Sequence, residues 1–248
     1  MSKRKNKQKN EALEAIQEKE QKKKRKKENP HKREFGIEII HGENYQKTCL
    51  HKVSTDIGFR TAGMTYLDMN TGQLTCLYYK KNKECQVQGM KIVDLIKLCR
   101  ETIKDYVALL PEVVINNLDR TQFVFEEPLV IAGQRSFSIS LYILLSELIQ
   151  YFIEQLHVHS VCLVVPGSAK KLLGFKSNIH MPDKEKTKFV KENLPDIGCQ
   201  NNHQADSVFS MILTNQEFLK EKYPCLKVLK DIEYRVYESS LTQEKGEF

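Results

Sequence analysis

Apolar and polar residues alternate over three short segments, and this pattern predicts an antiparallel meander. In residues 53–60 the apolar side chains fall on one side of the predicted strand, while Ser54 and Asp56 fall on the other. Residues 62–69 and residues 74–79 form the next two predicted strands, and an Asn-Thr-Gly turn separates them. Strands joined by such tight turns pair with their neighbours along the chain.

Helical periodicity begins after the third predicted strand. Apolar residues recur every three or four positions over residues 92–110, which predicts a long amphipathic helix. Further helices are predicted over residues 141–156, 184–193 and 203–219. Two apolar segments between these helices predict strands, at residues 122–127 and 160–165.

The predicted element order is β-β-β-α-β-α-β-α. A meander followed by alternating helices and strands favours an α/β fold: a mixed five-stranded sheet, parallel in its second half, with helices on both faces. Residues 35–248 are expected to form this single domain. No run of 18 apolar residues occurs, so no transmembrane helix and no membrane association are expected.

Charge is concentrated in residues 1–34, which have the composition of a disordered arm. This segment holds 14 of the 39 Lys and Arg residues and six of the 32 Asp and Glu residues, so it accounts for the net charge of +7. Basic tracts of this kind suit polyanion binding or nuclear localisation, although a solvated tail is the alternative. Seven scattered cysteines without a CxxC pair indicate free thiols, and hence an intracellular, reducing compartment, with the nucleus or a viral replication site as options.

Three acidic residues occupy positions that are unusual for acids. Asp56 interrupts a strand, Glu126 ends an apolar strand, and Asp206 lies in the first turn of the last predicted helix. Buried carboxylates are costly unless a cation or hydrogen bonds compensate them. Three acids from three elements can converge and bind hard divalent ions through oxygen. His203 precedes Asp206 by three positions, so both side chains share a helical face if the helix has begun there.

Each acidic residue also fits an ordinary structural role. Asp56 and Glu126 could simply end their strands, and Asp206 could stabilise a helix N-terminus. Only their joint order, with acids on the first strand, the fourth strand and the last helix, points to a metal site.

These motifs resemble the RuvC-like Holliday-junction resolvases of the RNase H-like superfamily. Val-Ser-Thr-Asp-Ile-Gly at residues 53–58 is similar to the family's first strand, and Phe-Val-Phe-Glu-Glu at residues 123–127 to its second acidic motif. Glu127 stands where the family usually has Gln. The register of the motif favours Glu126 as the ligand. His-Gln-Ala-Asp-Ser at residues 203–207 resembles the final motif. Residues 134–136, 165–171 and 184–188 look like the poxviral, giant-virus and fungal mitochondrial branch.

The resemblance implies an RNase H-like nuclease that resolves four-way DNA junctions by paired phosphodiester hydrolysis, during recombination, replication or repair. Two Mg²⁺ or Mn²⁺ ions would be bound by Asp56, Glu126, His203 and Asp206, with no small-molecule cofactor. Family members are typically homodimers that bind branched DNA. Phosphate contacts are expected from basic residues around the cleft, namely Arg135, Lys170, Lys171, Lys184, Lys186 and Lys188.

Other functions remain open at this point. The same acids would serve an RNase H-like nuclease acting on flaps or RNA–DNA hybrids. A nucleic-acid-binding protein that keeps the fold without catalysis is a further alternative. An actin-like or sugar-kinase-like ATPase is disfavoured, because the 11 glycines include no GxG phosphate loop.

Overall fold

A seven-stranded sheet forms the centre of the protein in the computed structural model, which describes residues 36–81, 87–128, 135–165, 167–175 and 182–240. The strands are β1 (Gly36–His41), β2 (His51–Asp56), β3 (Thr61–Asp68), β4 (Leu74–Lys80), β5 (Thr121–Glu126), β6 (Ser160–Val164) and β7 (Arg235–Ser240).

The strand order is β4-β3-β2-β5-β6-β1-β7. Strands β2, β3 and β4 form an antiparallel meander, and β5 and β6 continue the sheet parallel to β2. The predicted fold class is therefore confirmed as α/β with a mixed sheet, a meander first and parallel pairing second. The predicted number of five strands is wrong, because β1 pairs antiparallel with β6 and β7 pairs parallel with β1.

The two additional strands carry little of the alternation that predicts a strand. All but the last residue of β7 are exposed, since β7 is an edge strand that pairs through its backbone. In β1 the buried isoleucines Ile37 and Ile40 are three positions apart, which is not strand periodicity.

Helices cover the sheet and fill its connections. They are α1 (Ile92–Ala108), α2 (Glu112–Ile115), α3 (Arg135–Gln150), α4 (Ser168–Leu172), α5 (Asp183–Asn193), α6 (Asn202–Thr214) and α7 (Gln216–Lys222). Short 3-10 turns span Leu118–Arg120, Pro195–Ile197 and Pro224–Val228, and a π-helical turn, Tyr151–Gln155, extends α3. The last predicted helix is thus two helices, which meet at Asn215.

The two faces of the sheet differ in their strand residues: the apolar face carries apolar side chains, whereas the polar face carries buried polar side chains and also packs against apolar residues of α6 such as Val208. Inward residues of β2 and β5, such as Val53 and Phe123, join one buried cluster with Leu95 of α1 and Leu144 of α3. On the other face α6 packs against β2, β3 and β5. Alternate residues of each strand point to opposite faces, so β2 contributes to both.

Among the described residues, one helical segment, Phe137–Gln155, is long and apolar enough to cross a membrane by length and composition alone, and 39% of its most apolar stretch is buried in the structure. Leu144 and Leu148 within it are fully buried in the cluster against the sheet. We therefore assign this segment to the core of the fold.

Candidate active site

The three predicted acids come together at one edge of the sheet. Asp56 is the last residue of β2 and Glu126 the last residue of β5. Because β2 and β5 are adjacent and parallel, both strands end at the same edge. Asp206 reaches this edge from α6, which lies on the polar face; it stands in the second turn rather than the predicted first turn, because the helix begins at Asn202.

A glycine allows α6 to lie directly on the sheet beside Asp56. Gly63 of β3 is paired with Asp56, and a Cβ atom added at Gly63 would lie 2.0 Å from the carbonyl carbon of His203. No side chain larger than hydrogen fits between strand and helix at that separation. Gly63 therefore determines how closely His203 can approach the end of β2.

The N-terminus of α6 is fixed by its capping residue. The Asn201 side chain accepts a hydrogen bond from the backbone N–H of Gln204, so the helix begins at Asn202. His203 and Asp206 are consequently both helical and share a face, one turn apart. This is the geometry in which the two side chains can act on one site.

Asp56 and His203 form a direct pair. His203 Nδ1 lies 2.6 Å from Asp56 Oδ2, and the other ring nitrogen, Nε2, lies 3.2 Å from the hydroxyl of Thr61. The hydrogen bond to Asp56 raises the pKa of His203, and the negative charge of Asp206 adds to this effect, although burial opposes it. The imidazole is therefore held in orientation by one carboxylate and favoured in its protonated form.

Glu126 is the most strongly perturbed acid of the group. Burial raises its pKa to about 8, and the negative charges of Asp206 and Asp56 contribute. Its Oε1 accepts a hydrogen bond of 2.7 Å from the backbone N–H of Gly167. Because the charges of Asp206 and Asp56 both act on its pKa, Glu126 belongs to the same cluster of acids. The register of the sequence motif also favours Glu126 over Glu127.

Asp206 is paired with a buried lysine. Lys186 of α5 places its Nζ 2.7 Å and 2.5 Å from the two carboxylate oxygens of Asp206, and 3.2 Å from Asp183. The side chains of Lys186 and Asp206 are 10% and 19% exposed. Burial raises the pKa of Asp206 to about 6, with Lys186 opposing the shift and Asp56 adding to it.

The donor set has the chemistry that a hard divalent ion requires. Asp56, Glu126 and Asp206 supply carboxylate oxygens, and His203 supplies an imidazole nitrogen. Three acids at one edge leave negative charge that a cation would offset, and the charges of Asp206 and Asp56 add to the burial that raises the pKa of Glu126. Within the described segments, however, no three His, Cys, Asp or Glu side chains are already gathered around one point.

The predicted phosphate-contacting lysines are distributed around this edge. Lys184 and Lys188 line an open groove of about 580 Å³ together with Lys191 and the polar residues that precede α6. Lys170 and Lys171 lie on α4, which packs against α6. The side chain of Arg135 is outside the described part of the structure, as are Gln134 and the side chain of Ser136 in the same motif.

Sequence reasoning missed three features of the site. Lys186 was expected to contact phosphate, but it is buried against Asp206. The signal was present, since Lys186, Phe189 and Val190 lie three and four positions apart and so share a helical face. The contacts made by Thr61 and Gly63 connect residues about 140 positions apart along the chain, and no local pattern indicates them.

Comparisons with known proteins identify a few remote structural similarities. No family model matches the chain, and no curated protein matches it. One similar structure is T. thermophilus RuvC in complex with a Holliday junction substrate, at 14% identity and a TM-score of 0.44, covering 73% of this chain and 98% of that one.

Two further structures match only about half of this chain. They are the ethanolamine utilization protein EutJ from Carboxydothermus hydrogenoformans, at 16% identity and a TM-score of 0.25, and the Aquifex aeolicus Ppx/GppA phosphatase, at 17% identity and a TM-score of 0.25. This chain covers 40% and 39% of those proteins.

Proposed function

We propose that this protein is a metal-dependent endonuclease that resolves four-way DNA junctions by phosphodiester hydrolysis. The observation that carries the proposal is the convergence of Asp56, Glu126 and Asp206, from two parallel strands and one helix, at a single edge of the sheet. Clustered carboxylates of this kind serve phosphoryl transfer by holding divalent ions. The choice of a junction as substrate follows from the motif resemblance and is the part of the proposal that the assay below tests.

The residues of the site have separable roles. Asp56 and Glu126 would hold Mg²⁺ or Mn²⁺, which when bound supplies an activated water and offsets charge on the phosphate. His203 is oriented by its hydrogen bond to Asp56 and favours the protonated form, so it can donate a hydrogen bond or a proton at Nε2. Glu126 is kept in place by the N–H of Gly167.

The surface beside the site is suited to a nucleic-acid backbone. Lys184, Lys188 and Lys191 line the groove next to the N-terminus of α6, and such lysines position a strand through its phosphates without reading sequence. Residues 1–34 would add sequence-independent affinity through their basic tracts. We propose that the protein works where thiols stay reduced, and the six described cysteines are all free.

We also propose that the protein acts as a homodimer, because paired nicks on opposite strands require two active sites. Ile92 and Val93 at the start of α1, and Ile139 in the first turns of α3, are each more than half exposed. Apolar side chains exposed at the starts of two neighbouring helices offer a surface for self-association. A monomer in light scattering at micromolar concentration would contradict this part of the proposal.

The decisive experiment is a cleavage assay on synthetic substrates. The protein is incubated with a labelled four-way junction, duplex, flap and RNA–DNA hybrid, each with Mg²⁺ and with EDTA. We expect paired symmetric nicks in the junction alone, which disappear with EDTA. Preference for the flap or hybrid would keep the nuclease and reject the junction as substrate, and no metal-dependent cleavage would leave only nucleic-acid binding.

Asp56→Asn is the matched variant for this assay. It removes a carboxylate charge while keeping the side-chain shape, and we expect cleavage to fall at least about a hundredfold, which is ~2.7 kcal/mol on the barrier. Junction binding in a gel-shift assay should remain, because Asp56 is not a phosphate contact. Cleavage near the wild-type rate would remove Asp56 from the proposed site.

A further inference from the structure

Lys186 is a buried cation inside the carboxylate cluster. Its side chain is 10% exposed, and its ammonium group contacts both oxygens of Asp206 and one oxygen of Asp183. A lysine that binds phosphate on the surface keeps its head group in water, which Lys186 does not. Because Lys186 is buried against these acids, we expect it to act within the site rather than on the surface.

The packing of α5 on α6 holds this lysine in place. Phe189, one turn after Lys186, packs against Phe209 of α6 with ring centroids 5.6 Å apart, and Val190 is fully buried. These contacts fix the face of α5 that carries Lys186. The ammonium group is therefore as firmly positioned as the acid that it contacts.

The three acids differ in which neighbouring groups offset their negative charge. Both oxygens of Asp206 are occupied by Lys186. Among the described residues, neither Asp56 nor Glu126 forms an ion pair with a lysine or arginine, and their contacts are with His203 and the N–H of Gly167. A metal ion at Asp206 would have to displace a buried ammonium or lie beside it, and like charges at that distance repel strongly in a partly buried site.

We infer that Lys186 takes the place of a second metal ion, so that the site holds one divalent ion per chain, at Asp56 and Glu126. This rests on the proposed function and revises the two ions that the motif resemblance implies. Lys186 supplies, as a fixed positive charge, the neutralisation at Asp206 that a second ion would otherwise provide. The role of Asp206 is then to hold Lys186 rather than to ligate metal.

The test is the number of Mn²⁺ ions bound by the full chain without DNA, from calorimetric titration and from the loss of the free Mn²⁺ signal in electron paramagnetic resonance. We expect one ion per wild-type chain. Lys186→Met removes the ammonium but keeps the length of the side chain, and it should expose Asp206 to a second ion. Lys220→Met is the matched control, because the side chain of Lys220 is 11% exposed and pairs with Asp231, away from the three acids; it should keep one ion.

Two acid variants keep the inference testable if Lys186→Met does not fold. Asp206→Asn should retain its one ion with little change in affinity, whereas Asp56→Asn should lose affinity at least tenfold, ~1.4 kcal/mol. Two ions on the wild-type chain, or loss of an ion in Asp206→Asn, would overturn the inference while leaving a metal-dependent nuclease intact. No bound Mn²⁺ in any form would overturn the metal-dependent function itself, and the inference with it.

Discussion

The two faces of the central sheet are built from alternate residues of the same strands, but they serve different purposes. On the apolar face, Val53 and Phe123 are fully buried against α1 and α3. On the polar face, Ser54 and Asp56 meet α6 through hydrogen bonds. Both faces bury apolar residues, including Val208 of α6 on the polar face, but the polar face also holds charged groups together, which costs part of the stability that burial provides.

The largest expected effect on stability comes from the apolar face. Phe123→Ala removes a ring that packs on Phe152, with centroids 4.2 Å apart, and leaves a cavity; we expect a loss of roughly 3–5 kcal/mol in the free energy of unfolding. Chemical denaturation of the metal-free protein measures it. A loss below about 1 kcal/mol would mean that this face relaxes easily and does not carry the fold.

The next largest effect compares the two faces at neighbouring residues of β3. Gly63→Ala places a methyl group against the backbone of His203, so α6 must shift; we expect a loss of roughly 2–3 kcal/mol and separation of the pair of Asp56 and His203. Its neighbour Ala62 faces the apolar cluster. Ala62→Gly should cost about 1 kcal/mol and leave that pair intact.

The readout for this pair of variants is the imidazole resonances of His203 as a function of pH. In Gly63→Ala the pKa of His203 should move down toward its ordinary value, since the hydrogen bond to Asp56 is what raises it. In Ala62→Gly it should stay raised. An unchanged His203 in Gly63→Ala would show that the helix tolerates the methyl group without moving.

A smaller effect is the pH dependence of the free energy of unfolding that comes from the acids of the polar face. Burial raises the pKa of Glu126 from 4.5 to about 8, and that of Asp206 from 3.8 to about 6. From about pH 4.5 to pH 8 the folded chain thus holds protons on these two acids that the unfolded chain has released, so the contribution of these acids to the stability of the metal-free fold falls as pH rises. His203 acts in the same direction, because its raised pKa favours the folded state below pH 6.5 and this contribution is lost as pH rises through the folded value.

Glu126→Gln should flatten this pH dependence by roughly 1–2 kcal/mol between pH 5 and pH 8, less than the full shift would give, since solvent relaxation reduces it. Denaturation midpoints at the two pH values provide the measurement. Phe123→Ala is the control, because it should lower stability equally at both values and leave the slope unchanged. A Glu126→Gln variant with the same pH dependence as the wild type would contradict the assignment of Glu126 as a buried acid.

The division between the two faces could be predicted from sequence because it follows from local periodicity. Alternation in residues 53–56 put Ser54 and Asp56 on one side, and both do face α6 in the structure. The mixed sheet followed from the order of elements. The strands β1 and β7 could not be predicted, because their pairing depends on backbone partners far along the chain rather than on alternation.

Within the site, the residue types were predictable but their partners were not. The acids stood out because they interrupt apolar segments. The pairing of Lys186 with Asp206 depends on how α5 docks on α6, and the approach permitted by Gly63 depends on a helix 140 positions away. The contact at Gly63 leaves no periodic trace in the sequence. The helical spacing of Lys186 with Phe189 and Val190 indicates a buried face, but it does not identify Asp206 as the partner.

The smallest predicted effect tests whether the polar contacts below the site contribute to stability or only orient α6. The buried hydroxyl of Ser54 donates to the carbonyl of Ser207, and the hydroxyls of Thr65 and Ser207 lie 2.7 Å apart. Ser54→Ala removes one donor from a carbonyl in a helix, so we expect a loss of about 1 kcal/mol, well below that of Phe123→Ala. Denaturation in the same buffer allows the two faces to be compared directly.

The same variant should leave Mn²⁺ affinity unchanged, because Ser54 contacts neither the acids nor Lys186 in the described structure. If Ser54→Ala lowers Mn²⁺ affinity with little loss of stability, the hydroxyl contacts orient α6 for the site, and the polar face is organised for chemistry throughout its length. If Ser54→Ala lowers the free energy of unfolding as much as Phe123→Ala does, the polar contacts stabilise the fold as strongly as the apolar face. The proposed difference between the two faces would then be wrong.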